Sequence, residues 1–317
     1  MVSSNQIIKI GTRGSRLALR QAQIVADFLK KEWPKFESQI QTISSVGDLN
    51  PDADFKELSD KQGKGIFTKA LDEALLQKKV DVAVHSLKDL PVEMVDGLEL
   101  GAVLQREDPR DAWISKDRKP FEGLEQGATV GTSSVRRAAQ LKQKRPDLRI
   151  VPLRGNVDTR IQKLKEENDA NGGMDGIVIA LAGVRRVGLE KEITEIFPVE
   201  WMIPAIGQGV IALVIRGDDE EIKEKIVQVN HPLTYLEIQT ERVFLAKLGG
   251  GCHVPIAGVA QMNQEGGVIT LRGGVFSPDG KQSIKGTLSA PKTEAVAMAE
   301  RLAQMLLHQG ADKLLQP

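Results

Sequence analysis

Short, almost unbroken apolar runs alternate along this chain with longer stretches whose apolar residues recur at helical spacing. Ile7-Ile8-Lys9-Ile10 has the length and composition of a buried strand. The turn Gly11-Thr12-Arg13-Gly14-Ser15 follows, and the spacing then predicts a helix over about residues 16–31. The same order returns at Thr129-Val130, then Gly131-Thr132-Ser133-Ser134, then a helix opening near Val135. Downstream of the first unit a helix over residues 68–79 leads into the strand Val80-Asp81-Val82-Ala83-Val84-His85. Downstream of the second, a helix over about residues 158–167 leads into Gly176-Ile177-Val178-Ile179-Ala180. Strands this continuously apolar are covered on both faces. The pattern predicts two similar α/β lobes forming a periplasmic-binding-protein-like clamp, with polar turns at the strands' carboxyl ends facing each other across a cleft. Ile203-Pro204-Ala205-Ile206-Gly207-Gln208-Gly209 reads as a return crossing or hinge. Beyond about Asn230 come a helix, strands with Gly266-Gly267 and Pro278-Asp279-Gly280 turns, and a final helix, a smaller C-terminal α+β domain. The expected boundaries are 1–104 with 210–228, then 105–209, then 229–317.

Composition narrows the function classes. With 317 residues, more than one hydrophobic core is expected. Lys+Arg 43 against Asp+Glu 43 gives no global field for nucleic acid, and three Trp and one Tyr offer few stacking platforms. No apolar run approaches the roughly 18 residues of a spanning helix, so no membrane partner is expected. One cysteine excludes an intramolecular disulfide framework, and no export-signal pattern opens the sequence. The cytoplasm is the expected compartment. Four scattered histidines and no paired cysteines argue against a zinc site.

Anion binding must therefore come from local clusters. Each strand–turn–helix unit gathers backbone N–H groups, hydroxyls and arginines at a helix N-terminus: Arg13 and Ser15 in one, Thr132, Ser134, Arg136 and Arg137 in the other. The serines and threonines serve equally as ordinary helix caps. Further arginines follow at Arg154, Arg160, Arg185 and Arg186, and an array of planar forks suits a ligand with several carboxylates. In Val84-His85-Ser86-Leu87-Lys88-Asp89-Leu90-Pro91 a buried strand ends in polar residues, making Asp89 either a group that stabilises a cation or a turn-terminating acid. The lone Cys252 lies in Leu248-Gly249-Gly250-Gly251-Cys252-His253, where glycines remove the side chains that would wall in a thiol. It is either a small buried hydrophobe or a covalent attachment point.

Taken in order, Gly11-Thr12-Arg13-Gly14-Ser15, Gly63-Lys64-Gly65-Ile66-Phe67, Ala83 to Pro91, and Arg106-Glu107-Asp108-Pro109-Arg110-Asp111-Ala112 resemble the porphobilinogen deaminase (hydroxymethylbilane synthase) family. So do Gly131 to Arg137, Leu153-Arg154-Gly155-Asn156-Val157-Asp158-Thr159-Arg160, Pro204 to Gly209, and Gly250-Gly251-Cys252. The resemblance implies condensation of four porphobilinogen molecules into hydroxymethylbilane with loss of four ammonia. It implies a dipyrromethane cofactor attached by a thioether at Cys252 as primer. By the same resemblance Asp89 is catalytic, and Lys88, Thr132, Ser134, Arg136, Arg137, Arg154, Arg13 and Ser15 bind the cofactor. Arg13, Arg154, Arg160, Arg186, Phe67 and Gln208 would bind substrate. Gly249, Ala70 and Ser45 depart from the family pattern; Gly249 is expected to loosen the cofactor loop, and the polar, turn-rich stretch Leu49 to Phe55, leading to Gly63, to form a mobile lid. A two-lobed solute-binding protein, or an enzyme using Cys252 as a direct nucleophile, are the alternatives.

Overall fold

The computed structural model describes residues 7–44, 68–166, 173–250 and 254–315. Cys252, Phe67, Ser45 and the expected lid lie outside them. The chain divides into two compact units, residues 1–106 with 210–235, and 107–209 with 236–317.

In the first unit, β1 (Ile7–Thr12), α1 (Arg16–Glu32), β2 (Glu37–Thr42), α2 (Lys69–Leu76), β3 (Val82–Ser86) and β4 (Leu98–Val103) precede the crossing to the other unit. After the return come β10 (Ile211–Arg216) and α6 (Glu220–Ile226). The sheet order is β2-β1-β3-β10-β4, with β1 parallel to β2 and β3, and β10 antiparallel to both its neighbours. Helix α1 buries Ala22, Val25, Ala26 and Leu29, the i, i+3, i+4, i+7 face, on Ile8, Ile10, Val82 and Val84. On the opposite sheet face α2 comes so close that a Cβ at Gly11 would stand 3.1 Å from Leu71. This helix stops three residues earlier than its spacing suggests. Lys78 adopts φ 57°, and the N–H groups of Lys78 and Lys79 donate back to Leu75 and Ala74. That is a Schellman stop with lysine in the position glycine usually holds.

The second unit contains β5 (Asp111–Ser115), β6 (Thr129–Gly131), α3 (Val135–Lys144), β7 (Arg149–Val151), α4 (Val157–Glu166), β8 (Gly176–Ala180), α5 (Leu181–Arg186) and β9 (Glu195–Ile196). Their sheet order is β7-β6-β8-β5-β9, with β5 antiparallel to β8 and β9. The two five-stranded sheets thus share one plan, as the repeated sequence pattern implies. In each, the strand inserted antiparallel is the first to form after the chain crosses between units: β5 after residue 106, β10 after residue 209. Trp113 and Phe121 meet edge-on at 5.5 Å inside the second sheet's core. A Cβ at Gly176 would stand 2.1 Å from the Trp113 indole and 2.7 Å from the Ile114 carbonyl oxygen. Gly176→Ala is therefore expected to destabilise the chain by about 1–3 kcal/mol through overpacking, read as a lower urea midpoint. An unchanged midpoint would contradict this packing.

The C-terminal segment adds α7 (Pro232–Lys247), the antiparallel sheet β11-β12-β13 (Ile256–Met262, Val268–Phe276, Ser283–Pro291) and α8 (Ala295–His308). This is the smaller α+β element the turn signals forecast. Phe244 of α7 lies over Gly273, where a Cβ would be 2.3 Å from its ring. Ala139 of α3 packs with Ile203, Ala257 and Phe276, so the second sheet's first helix and the third sheet share a small core.

Candidate active site

Among the described residues, Arg13, Ser15, Lys88, Asp89, Thr132, Ser134 and Arg154 follow the carboxyl ends of strands, and the folding of each turn explains its position. In the first unit Ser15 is the N-cap of α1, its hydroxyl accepting from the Ala18 N–H at 3.2 Å, while the Thr12 hydroxyl donates to the Ala18 carbonyl. Arg13, half-buried, lies between these two anchors. Strand β3 runs parallel to β1 and ends in a single 3-10 turn, Leu87–Asp89. Buried Leu87 and Leu90 pin that turn from below, leaving Lys88 half-buried and Asp89 exposed. Gln21 of α1 donates to the Ser86 hydroxyl at 2.9 Å and ties the two strand ends together. The structure thus brings Arg13, Ser15, Lys88 and Asp89 to one edge of one sheet.

In the second unit Ser134 is the N-cap of α3 and accepts from the Arg137 N–H; its own N–H donates to the Thr132 hydroxyl. Ser133 both donates to and accepts from the Leu153 backbone at 3.0 Å, which draws the Arg154 loop beside the start of α3. Arg160 donates through Nε to the Gly155 carbonyl at 2.7 Å. Arg186, at the end of α5, donates to the Gly209 carbonyl. Burial lowers the Arg186 guanidinium to about 10 despite the opposing pull of Glu107.

Arg136 and Arg137 are placed differently from the open ligand forks suggested by their spacing. Both are buried, and both donate to one carboxylate, Asp111: Arg136 Nη2 at 2.8 Å, Arg137 Nε at 3.0 Å and Nη2 at 2.8 Å. Burial alone would raise the Asp111 carboxyl, but the two guanidiniums and the Gln208 amide outweigh it and hold it at about 2. Gln208 is fully buried too, donating to Asp111 at 2.9 Å and to the Pro109 carbonyl at 2.6 Å. It supports the cluster from within. Arg136 Nη1 donates to the Ile203 carbonyl, while its Nε is buried without an acceptor.

Two of the three glycines before Cys252 have roles of their own. Gly249 has φ 67° and donates to Ala246, and Gly250 donates to Leu245, so together they close α7 with a Schellman motif. Gly249 therefore acts as a helix stop, while the cofactor loop it is expected to loosen lies outside the described residues. A Cβ at Gly250 would stand 2.3 Å from Ile256, so close packing explains that residue.

A model of the porphobilinogen deaminase dipyrromethane cofactor binding domain matches residues 8–224, and one of the porphobilinogen deaminase C-terminal domain matches residues 235–308. Porphobilinogen deaminase of Syntrophomonas wolfei subsp. wolfei is 44% identical over 97% of each chain. That of Brevibacillus brevis is 46% identical over 97% of this chain and 96% of its own. The chain belongs to the porphobilinogen deaminase family. Among solved structures, the BenM effector-binding domain with benzoate is 14% identical over 72% of this chain and 93% of its own, at a TM-score of 0.41. The strand orders above, not this loose likeness, define the fold.

Within this porphobilinogen deaminase family member, sequence reasoning missed Asp111 and His85 as separate actors, although both lie in motifs that carry the resemblance. His85 precedes the Lys88–Asp89 turn, is buried, and its Nε2 has no hydrogen-bond partner. Burial first, then the Arg13 charge, lowers the imidazole to about 4, so it stays neutral. The unfolded chain takes up this proton near pH 6.5, the folded chain only near 4. Its contribution of about 3 kcal/mol is thus full above about pH 6.5 and lost as pH falls through 4. Relative to the parent, His85→Gln is expected to flatten the urea-midpoint profile between pH 7 and 4. A parallel profile would remove His85 from the account. Among the described residues no helix is long and apolar enough to cross a membrane, and no three or more His, Cys, Asp or Glu side chains gather as a metal site would need.

Proposed function

We propose that this chain condenses four porphobilinogen molecules head to tail into hydroxymethylbilane, releasing four ammonia, on a dipyrromethane joined by a thioether to Cys252, in tetrapyrrole and heme biosynthesis. The observation that carries this reading is the family match over residues 8–224 and 235–308, which takes in every proposed site residue, Cys252 included. The residues present fit the group. Dipyrromethane carries acetate and propionate arms, and the start of α3 combines helix-terminal N–H groups with two guanidiniums on a single carboxylate.

When bound, dipyrromethane supplies the primer on which the chain grows. Lys88, Arg13 and Ser15 in the first unit, and Thr132, Ser134, Arg136, Arg137 and Arg154 in the second, hold its carboxylates. Arg13, Arg154, Arg160 and Arg186 bind those of incoming substrate, Phe67 stacks on a ring, and Gln208 acts through the buried cluster. Asp89, exposed on its short turn, stabilises the positive charge that the substrate ring gains as ammonia leaves. The working form is a cytoplasmic monomer built as 1–104 with 210–228, 105–209 and 229–317.

Intact-protein mass tests the reading. Protein purified from cells that make porphobilinogen should weigh more than its polypeptide by a dipyrromethane, and give the colour of a pyrrole with an acidic aldehyde reagent. A bare polypeptide mass with no colour would reject it. Mass appearing only during turnover would point to Cys252 as an acyl-type nucleophile.

A further inference from the structure

Two guanidiniums and one carboxylate meet where the second unit's first parallel strand gives way to α3. Arg136 and Arg137 are consecutive residues, yet their forks converge on Asp111, the opening residue of β5, whose side chain has no exposed surface. The Asp111 Oδ1 accepts from Arg137 Nε and Nη2 and from Gln208 Nε2, and Oδ2 accepts from Arg136 Nη2. The outer nitrogens are held as well, Arg136 by the Ile203 carbonyl at 2.7 Å and Arg137 by the Val178 carbonyl at 3.3 Å. Neither fork is left to rotate.

The charge count is uneven. Two positive groups against one negative leave one positive charge in a site where both arginine side chains are 5–6% exposed. One arginine would have satisfied Asp111. The second, with the orphaned Nε of Arg136, adds desolvation that a purely structural ion pair avoids. The surplus sits under the first turn of a helix, where the backbone already favours anions.

We propose that Asp111 is a positioning residue for ligand carboxylates. It locks both guanidiniums in one orientation, so that their uncompensated charge is already aimed when an anionic pyrrole arrives. The proposal rests on the function proposed above, since it is that reading which brings carboxylates to α3. Asp111 itself touches no ligand. Its contribution is preorganisation, which charge alone would not supply.

Two variants separate position from charge. Asp111→Asn keeps the shape and removes the charge; Asp111→Glu keeps the charge and moves it by one methylene. Each is purified from cells that make porphobilinogen, checked for folding by near-ultraviolet circular dichroism, and weighed intact before and after limiting substrate. For each variant that folds, the fraction carrying dipyrromethane, or the fraction advancing to longer covalent chains, should fall at least about tenfold. KM for porphobilinogen should rise by more than kcat falls. Loading and elongation within about twofold of the parent in either folded variant would overturn the proposal. So would failure of both to fold, which would assign Asp111 to folding alone. Failure of the functional reading looks different, because the parent protein itself would then lack the covalent mass.

Discussion

Asp89→Asn is expected to yield folded protein that still carries covalent dipyrromethane but condenses porphobilinogen at least about 10²–10³-fold more slowly, the loss typical of removing one preorganised group facing a developing charge. The prediction follows from where the residue sits. Asp89 is exposed, whereas the turn beneath it is anchored by buried Leu87 and Leu90, so the amide removes a charge without disturbing packing. Carboxylate recognition by the arginines is untouched, and primer mass should persist. Initial rate and intact mass on one preparation check both halves. A rate within about threefold of the parent would reduce Asp89 to a turn-terminating acid.

Arg137→Ala should act in the opposite sense, on the scaffold before the chemistry. The substitution removes three hydrogen bonds given by one side chain to Asp111 and Val178, and leaves a fully buried carboxylate with Arg136 as its one remaining cation. Breaking a buried ion pair from one side costs about 3–5 kcal/mol, and the loss should appear as a lower urea midpoint. Primer loading should fall as well, since the first turn of α3 loses both a guanidinium and its anchor. An unchanged midpoint would show that Asp111 finds compensation elsewhere, and the buried cluster would lose its energetic importance.

Much of this architecture was legible in the chain. The repeated strand, Gly-Thr turn and helix announced two related sheets, and β8 runs over Gly176–Ala180 as the apolar run indicates. Ser15 and Ser134 proved to be helix caps as well as candidate ligands, because one hydroxyl oxygen that accepts from the helix can still offer its proton elsewhere. The early end of α2 was not legible, since a left-handed Lys78 carries no glycine signal. Nor was the burial of Arg136 and Arg137. Arginines next to a helix cap read alike whether they face solvent or a carboxylate 25 residues away in sequence, as Arg136 does.

The pattern of residues by itself determined the element types, the edge of each sheet that carries polar turns, and the chemistry on offer: arginines, the strand-end acid Asp89 and one thiol. Those are local properties, set by periodicity and side-chain type over a dozen residues. Tertiary structure alone decided that β5 and β10 enter their sheets antiparallel, that Gly249 and Gly250 close a helix, and that Asp111 gathers two arginines into a buried, positively charged cluster. Strand direction and ion pairing depend on which distant segments meet, and the burial that gives a carboxylate its strength exists only once they have met.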